Sequence, residues 1–263
     1  MELNYLYVLL FVAFVLAPLS TNSLFLHNAK SYQIGHATAF LFVFLGLVSG
    51  INLFFVAWLL FCCFGFFLYT RQERTALLSV QGIATFIPFV FSIIASVWLV
   101  AGTNDLQLLG YNKHWSFYAA LHGNYLGWMF LGCLASLSKT RKTIRSLFSA
   151  GCYICLILFL LVAFGIDGIP YVKRIGVIGL TIVVPFFILL FLRTTRDRLS
   201  MSLAILSLLG IFFTLSLAVI NEFWVLQPQS FLGARSMVSL HGMVNGLIVL
   251  PSFCLAVWRE KRA

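Results

Sequence analysis

Long apolar runs, broken only by short polar segments such as Ser138 to Arg145 and Arg193 to Arg198, repeat along the whole chain. Runs of about 18 or more apolar residues are the signature of spanning helices. In hydrocarbon each backbone amide must find its partner within its own segment, which leaves α-helices or a closed barrel. The runs are too long and too continuous for barrel strands, which alternate lipid-facing and lumen-facing residues. The pattern predicts an all-α fold, a polytopic transmembrane helical bundle of about nine spans. They cover residues 4–26, 34–49, 51–69, 76–101, 115–137, 146–166, 175–192, 201–222 and 236–258. Only Ser49, Gly50, Ile51 and Asn52 separate spans two and three, so a tight hairpin and a single broken helix both fit, the latter giving eight spans. No long polar insert or Pro/Gly-rich linker interrupts the series, and residues 1–263 read as a single integral membrane domain. The first run has no basic residues before it and no small-x-small cleavage site, so it reads as a retained helix rather than a removed signal peptide.

Composition strengthens this reading. Of 263 residues, 62% are hydrophobic and only 9% are charged, against roughly 25% charged in a soluble domain. Such a chain cannot cover itself with polar surface, so lipid is its main solvent. The six cysteines, Cys62, Cys63, Cys133, Cys152, Cys155 and Cys254, all lie within apolar runs, where free thiols pack as small hydrophobes. The pair Cys152 and Cys155 has redox or zinc spacing, but no second pair accompanies it.

The net charge of +10 then sets direction. Arg71 and Arg74 follow span three; Lys139, Arg141, Lys142 and Arg145 follow span five; Arg193, Arg196 and Arg198 follow span seven. The C-terminus adds Arg259, Lys261 and Arg262. All these clusters follow odd-numbered spans, so an odd count puts them on one side. The positive-inside rule makes that side the cytoplasm and the N-terminus external. The charge is thus a topology signal that calls for no nucleic-acid partner, and the basic loops would meet anionic lipid headgroups. Asp105, Asp167 and Glu222 fall on the outer side, together with the basic exceptions Lys113, Lys173, Arg174 and Arg235. Trp115, Tyr171 and Trp224 lie near span ends, as an interfacial aromatic belt requires.

One local pattern recurs. Leu121 to Gly127 reads LHGNYLG and Leu240 to Gly246 reads LHGMVNG. Both spans enter from outside, and His122 and His241 fall about seven and five residues in, roughly 8–10 Å deep at 1.5 Å per residue. Gly123 with Gly127, and Gly242 with Gly246, are small-x-x-x-small pairs that let helix backbones approach closely. On one reading, then, the repeat is helix-packing chemistry. On the other, ionisable groups within a span are expensive and mark a ligand site or a pathway. Tyr125 shares a helix face with His122, and Asn245 shares one with His241, whereas Asn124 points away from His122. Glu222, at the outer end of span eight, and His114, at the outer mouth of span five, could complete a polar layer that relays protons or binds a cation. His36 opens span two from the cytoplasmic side, and Pro88 and Pro185 fall inside spans four and seven, where they would kink helices.

No Walker loop, HExxH or GxSxG element is present in the sequence, so nothing marks it as an enzyme of those kinds. No catalytic residue and no cofactor stands out. If a haem or transition metal were bound, His122 and His241 would be the ligands.

The segment His122-Gly123-Asn124-Tyr125-Leu126-Gly127-Trp128 resembles the H-F-H-Y-A-G-F element of the YndJ-like bacterial membrane proteins. Met237 to Asn245 resembles their M-x-x-x-H-G-x-x-N element. His122, Tyr125, Gly127, His241, Gly242 and Asn245 match the family pattern; Asn124 stands where the family usually has a second histidine, which argues against a His-x-His metal pair. The resemblance implies a polytopic, transporter-like protein. Together with the residues, it leads to the expectation of a multi-pass protein of the bacterial inner membrane. It would be a small-molecule or ion transporter whose polar pocket near the outer leaflet is lined by His122 and His241, with Tyr125, Asn245, Glu222 and His114. A membrane-embedded haem or metal redox protein and a non-catalytic partner subunit are the alternatives.

Overall fold

The computed structural model describes residues 2–166, 170–223, 230–231 and 234–262; Asp167 and Trp224 lie outside them. Among the described residues the chain is helical apart from short connections and a two-residue antiparallel ladder, β1 (Ser230–Phe231) with β2 (Ala234–Arg235). The helical runs are α1 (Glu2–Leu24), α2 (Lys30–Ser49), α3 (Asn52–Gln72), α4 (Val80–Thr103), α5 (113–140), α6 (Arg145–Ile166), α7 (Pro170–Thr194), α8 (Arg198–Phe223) and α9 (Met237–Arg262). Each of the nine predicted spans has its helix. All but α5 are long and apolar enough to cross a membrane by length and composition. The exception is continuous helix but carries His114, Ser116, His122 and Asn124.

Local chemistry sets several ends. Spans two and three are separate helices: Gly50 takes φ +72° and returns its N–H to Gly46 O, closing α2 in a left-handed cap that glycine adopts without steric cost. Ser79 accepts from Gly82 N at the start of α4, and Asn112 accepts from Trp115 N at the start of α5, both satisfying first-turn amides.

The chain forms two compact units: residues 1–12 with 133–263 (unit 1), and residues 13–132 (unit 2). Unit 2 has an aromatic core. The Tyr69 ring stacks on Phe89 at 4.4 Å, and its hydroxyl donates to Thr85 Oγ1. Trp58 lies 4.2 Å from Phe14, and Trp128 Nε1 donates to Thr21 Oγ1 at 2.7 Å. Helices α4 and α5 approach closely at glycine: a Cβ on Gly127 would stand 2.1 Å from the Phe91 ring, and one on Gly123 2.9 Å from Ala95 Cβ.

His36 has a structural task in this unit. Pro18 lies inside α1 and has no N–H to give to the carbonyl four residues back. That carbonyl belongs to Phe14, and His36 Nε2 lies 2.7 Å from it. A carbonyl can only accept, so the proton is on Nε2. Phe61 stacks against the imidazole at 5.6 Å.

In unit 1, α6 and α7 form a close hairpin. Added Cβ atoms on Gly165 and Gly176 would meet backbone of the opposite helix, Lys173 N at 2.3 Å and Leu158 O at 2.8 Å. The basic end is tied by the last turn of α9. Arg259 Nε donates to Asp197 Oδ2 at 2.7 Å, while Glu260 pairs with Arg141 and accepts from the Thr195 hydroxyl. Asp197 also accepts from Ser200 N at 2.8 Å, capping α8. The Arg259 guanidinium and the Ser200 donors hold the Asp197 carboxyl down to about 2, from an ordinary value of 3.8. Cys133 and Cys254 are buried free thiols with Sγ atoms 3.4 Å apart.

Candidate intramembrane polar site

Both copies of the histidine–glycine pattern fall on backbone that departs from the α-helix. Gly123–Phe130 in α5 is π-helical, as are Met237–Gly242 and Asn245–Val249 in α9. The π-helix accounts for well under 1% of residues in globular proteins and is concentrated at functional sites. Nothing in residue type or spacing announces this geometry in advance.

In unit 1 the second copy brings three polar side chains together. His241 Nδ1 lies 2.9 Å from Thr214 O, across from α9 to α8, so the imidazole carries its proton on Nδ1. One turn on, Asn245 Oδ1 accepts from Thr214 Oγ1 at 2.9 Å, and the same hydroxyl also reaches Ile211 O at 3.2 Å. Thr214 is fully buried, and His241 and Asn245 are half-buried. The helices meet tightly just beside it, where a Cβ on Gly210 would stand 2.8 Å from Val249. Gly242 lies against Leu9, and Gly246 is buried. Thr214 did not figure among the candidate residues. The signal was available in the buried stripe Ser200, Ala204, Ser207, Ile211 and Thr214, which runs along one face of α8 at helical spacing.

Glu222 ends α8 under different control. Lys173 Nζ is 2.7 Å from its Oε2 and Arg174 Nε is 3.5 Å from Oε1, with the Glu222 side chain only 10% exposed. Two of the basic exceptions to the charge asymmetry thus serve as counter-ions to an acid on the same side. Arg174 also lies over the Tyr171 and Phe223 rings, at 5.9 and 5.6 Å.

In unit 2 the first copy is arranged differently. His122 is exposed, and its Nδ1 lies 2.8 Å from Tyr118 O, one turn back on its own helix. Tyr125 is buried, and His114 is exposed at the start of α5. The polar residue that this copy sends into the unit is Asn124, which is 1% exposed. A cavity of about 370 Å³ in unit 2 is lined by apolar side chains, Leu59, Val97, Val100 and Leu106 among them, and by Gln107. It includes no histidine. Among the described residues no group of three or more His, Cys, Asp or Glu side chains converges as a metal site.

Comparison with known proteins bears on the whole chain. A family profile described as YndJ-like protein matches residues 3–249. The chain is similar to the uncharacterized membrane protein YndJ of Bacillus subtilis (strain 168), with 24% identity over 234 residues. That alignment covers 87% of this chain and 42% of the relative, so the chain spans less than half of the relative's length. No solved structure matches the chain.

Proposed function

The chain belongs to the YndJ-like family of membrane proteins, and on that premise we propose that it moves a small molecule or ion across the bacterial inner membrane through a polar site in unit 1. Its centre is His241 with Thr214 and Asn245. The observation that carries the reading is that His241 and Asn245, both on π-helical backbone, converge through an imidazole and a carboxamide on one buried threonine of α8. Polar groups inside a span are costly and cluster at pathways, and re-entrant or widened backbone at membrane depth is tolerated where protein encloses it. The imidazole of His241 is the titratable group of this site, which suits a proton or a hydrogen-bonding substrate. On this reading Glu222, which ends α8 in the same unit, belongs to the outer approach. The basic ends of α3, α5, α7 and α9 face the cytoplasm and its anionic headgroups, and the N-terminus lies outside.

The test is gradient dissipation in liposomes holding the purified full chain and a pH- or Na⁺-sensitive dye. The wild type is expected to collapse an imposed H⁺ or Na⁺ gradient faster than protein-free vesicles, with His241→Ala and Asn245→Leu slowing the decay about tenfold or more. Variants that fold and match the wild type would remove these residues from the pathway. Decay no faster than in empty vesicles for both ions would count against ion movement.

A further inference from the structure

Unit 2 leaves several deeply buried polar atoms without protein partners, and three of them bear on the Trp58–Trp128–Thr21 contacts. Trp58 is 0% exposed and its Nε1–H has no acceptor; Asn124 (1%) and Asn22 (4%) each keep an unmatched Oδ1. The Trp58 ring is 6.4 Å from Trp128, whose own indole N–H is used on Thr21. Asn124 stands four residues before Trp128 on α5, about one turn away, with its Nδ2 already committed to Ala120 O at 2.8 Å. Asn22 follows Thr21 directly on α1. The donor thus sits on one ring of the Trp58–Trp128 contact, and the two acceptors sit on residues one helical turn from Trp128 and next in sequence to its partner Thr21.

The chemistry of these three atoms limits what can complete them. An indole N–H only donates and a carboxamide oxygen only accepts. Buried groups of this kind are costly when unmatched. The direct solution, indole to carboxamide, is not made. The rings of Phe14, Phe61 and His36 also lie against Trp58, and none of them accepts its N–H. The complement is a small uncharged molecule that accepts from Trp58 and donates to the two oxygens. Water has that donor and acceptor set. Internal waters occur about once per 27 residues and bind two to four polar partners each.

We propose that unit 2 holds a built-in hydration site within the membrane. Water accepts from Trp58 Nε1 and donates to Asn124 Oδ1, with Asn22 Oδ1 as the next acceptor. It lies beside the π-helical stretch Gly123–Phe130, to which both Asn124 and Trp128 belong. It is independent of the His241 site, whose residues lie in unit 1.

The test uses the full chain with ¹⁵N-labelled tryptophan indoles in lipid nanodiscs, Trp58 being assigned by Trp58→Phe. A nuclear Overhauser contact between the Trp58 indole proton and long-lived water is expected, and it should vanish in Asn124→Leu. The other five indole signals report whether each variant is folded. Absence of any water contact at Trp58 in the folded wild type overturns the proposal. A second readout replaces Trp58 with 3-benzothienylalanine, which has the shape of tryptophan without the N–H. With water present, its loss of a partner lowers Tm by about 2–4 °C. In a dry site, removing an unmatched donor leaves Tm unchanged or raises it, which again overturns the proposal.

Discussion

The Pro18–Phe14–His36 arrangement makes a prediction that contacts alone would not. His36→Ala removes the donor to Phe14 O along with ring contacts to Phe61 and Trp58. In a helix without proline the carbonyl would fall back on the amide four residues ahead, but here that residue is Pro18. Leaving a buried acceptor unmatched costs about 1–3 kcal/mol. Hydrogen bonds measured within bilayers average about 0.6 and reach about 1.7 kcal/mol. A carbonyl with no intrahelical alternative belongs at the upper end, so about 1–2 kcal/mol of the His36→Ala loss should depend on Pro18. The lost ring packing is common to both backgrounds and cancels in a double-mutant cycle. Pro18→Ala restores an N–H at position 18, and in that background His36→Ala should lose only its packing. The assay is reversible unfolding in mixed micelles followed by tryptophan fluorescence, with four proteins compared. Equal His36→Ala losses in the two backgrounds, within about 0.3 kcal/mol, would refute the reasoning.

Three further outcomes follow from the packing and the charges. Gly127→Ala places a Cβ 2.1 Å from the Phe91 ring and 2.7 Å from Phe91 Cβ; since more than the ring tip is in the way, unfolding measurements should show a loss of about 1–3 kcal/mol, whereas Gly132→Ala, whose nearest neighbours are 3.9 Å away, should lose less. The carboxyl of Asp197 is held down to about 2 in the fold and is ordinarily near 3.8, so its contribution is complete above about pH 4 and fades as pH falls toward 2. The difference in Tm between wild type and Asp197→Asn should therefore be flat from pH 5 to 8 and should close in acid; a difference that changes between pH 6 and 8 would contradict the assignment. Single cysteines at the exposed positions Lys142 and Gln107, in a background without reactive native thiols, should label from opposite faces in oriented vesicles, Lys142 from the cytoplasmic side. Labelling from the same side would overturn the nine-span orientation.

The helices were legible because lipid leaves the backbone so few choices. Apolar length located nine runs, the basic clusters favoured an odd count, and Gly50 marks the break between α2 and α3 that hydropathy left ambiguous. Side-chain partners were far less legible, for reasons that differ by residue. Asp197 meets Arg259 and Arg141 meets Glu260 across 62 and 119 positions of sequence, and nothing local encodes such pairs. Thr214 resembled any threonine in a span, and only its place on the buried face of α8 distinguishes it. His36 could have been read more fully, because a proline inside a span always frees the carbonyl four residues before it, and a nearby span with a lone histidine is the natural donor. The π-helical turns carried no signal in residue type or spacing.

The two L-H-G-x-x-x-G segments illustrate the difference between a sequence echo and a shared role. In α9 the histidine and the asparagine four residues on both turn toward α8 and meet at Thr214. In α5 the histidine closes back on its own helix, and the residue facing the interior is Asn124, two positions along. A heptad of identical outline thus presents different side chains to the interior. What the copies have in common is close packing at glycine, Gly123 and Gly127 in one and Gly242 in the other, together with π-helical backbone. Each copy is left to direct whichever polar residue the local register supplies, a carboxamide in unit 2 and an imidazole with a carboxamide in unit 1.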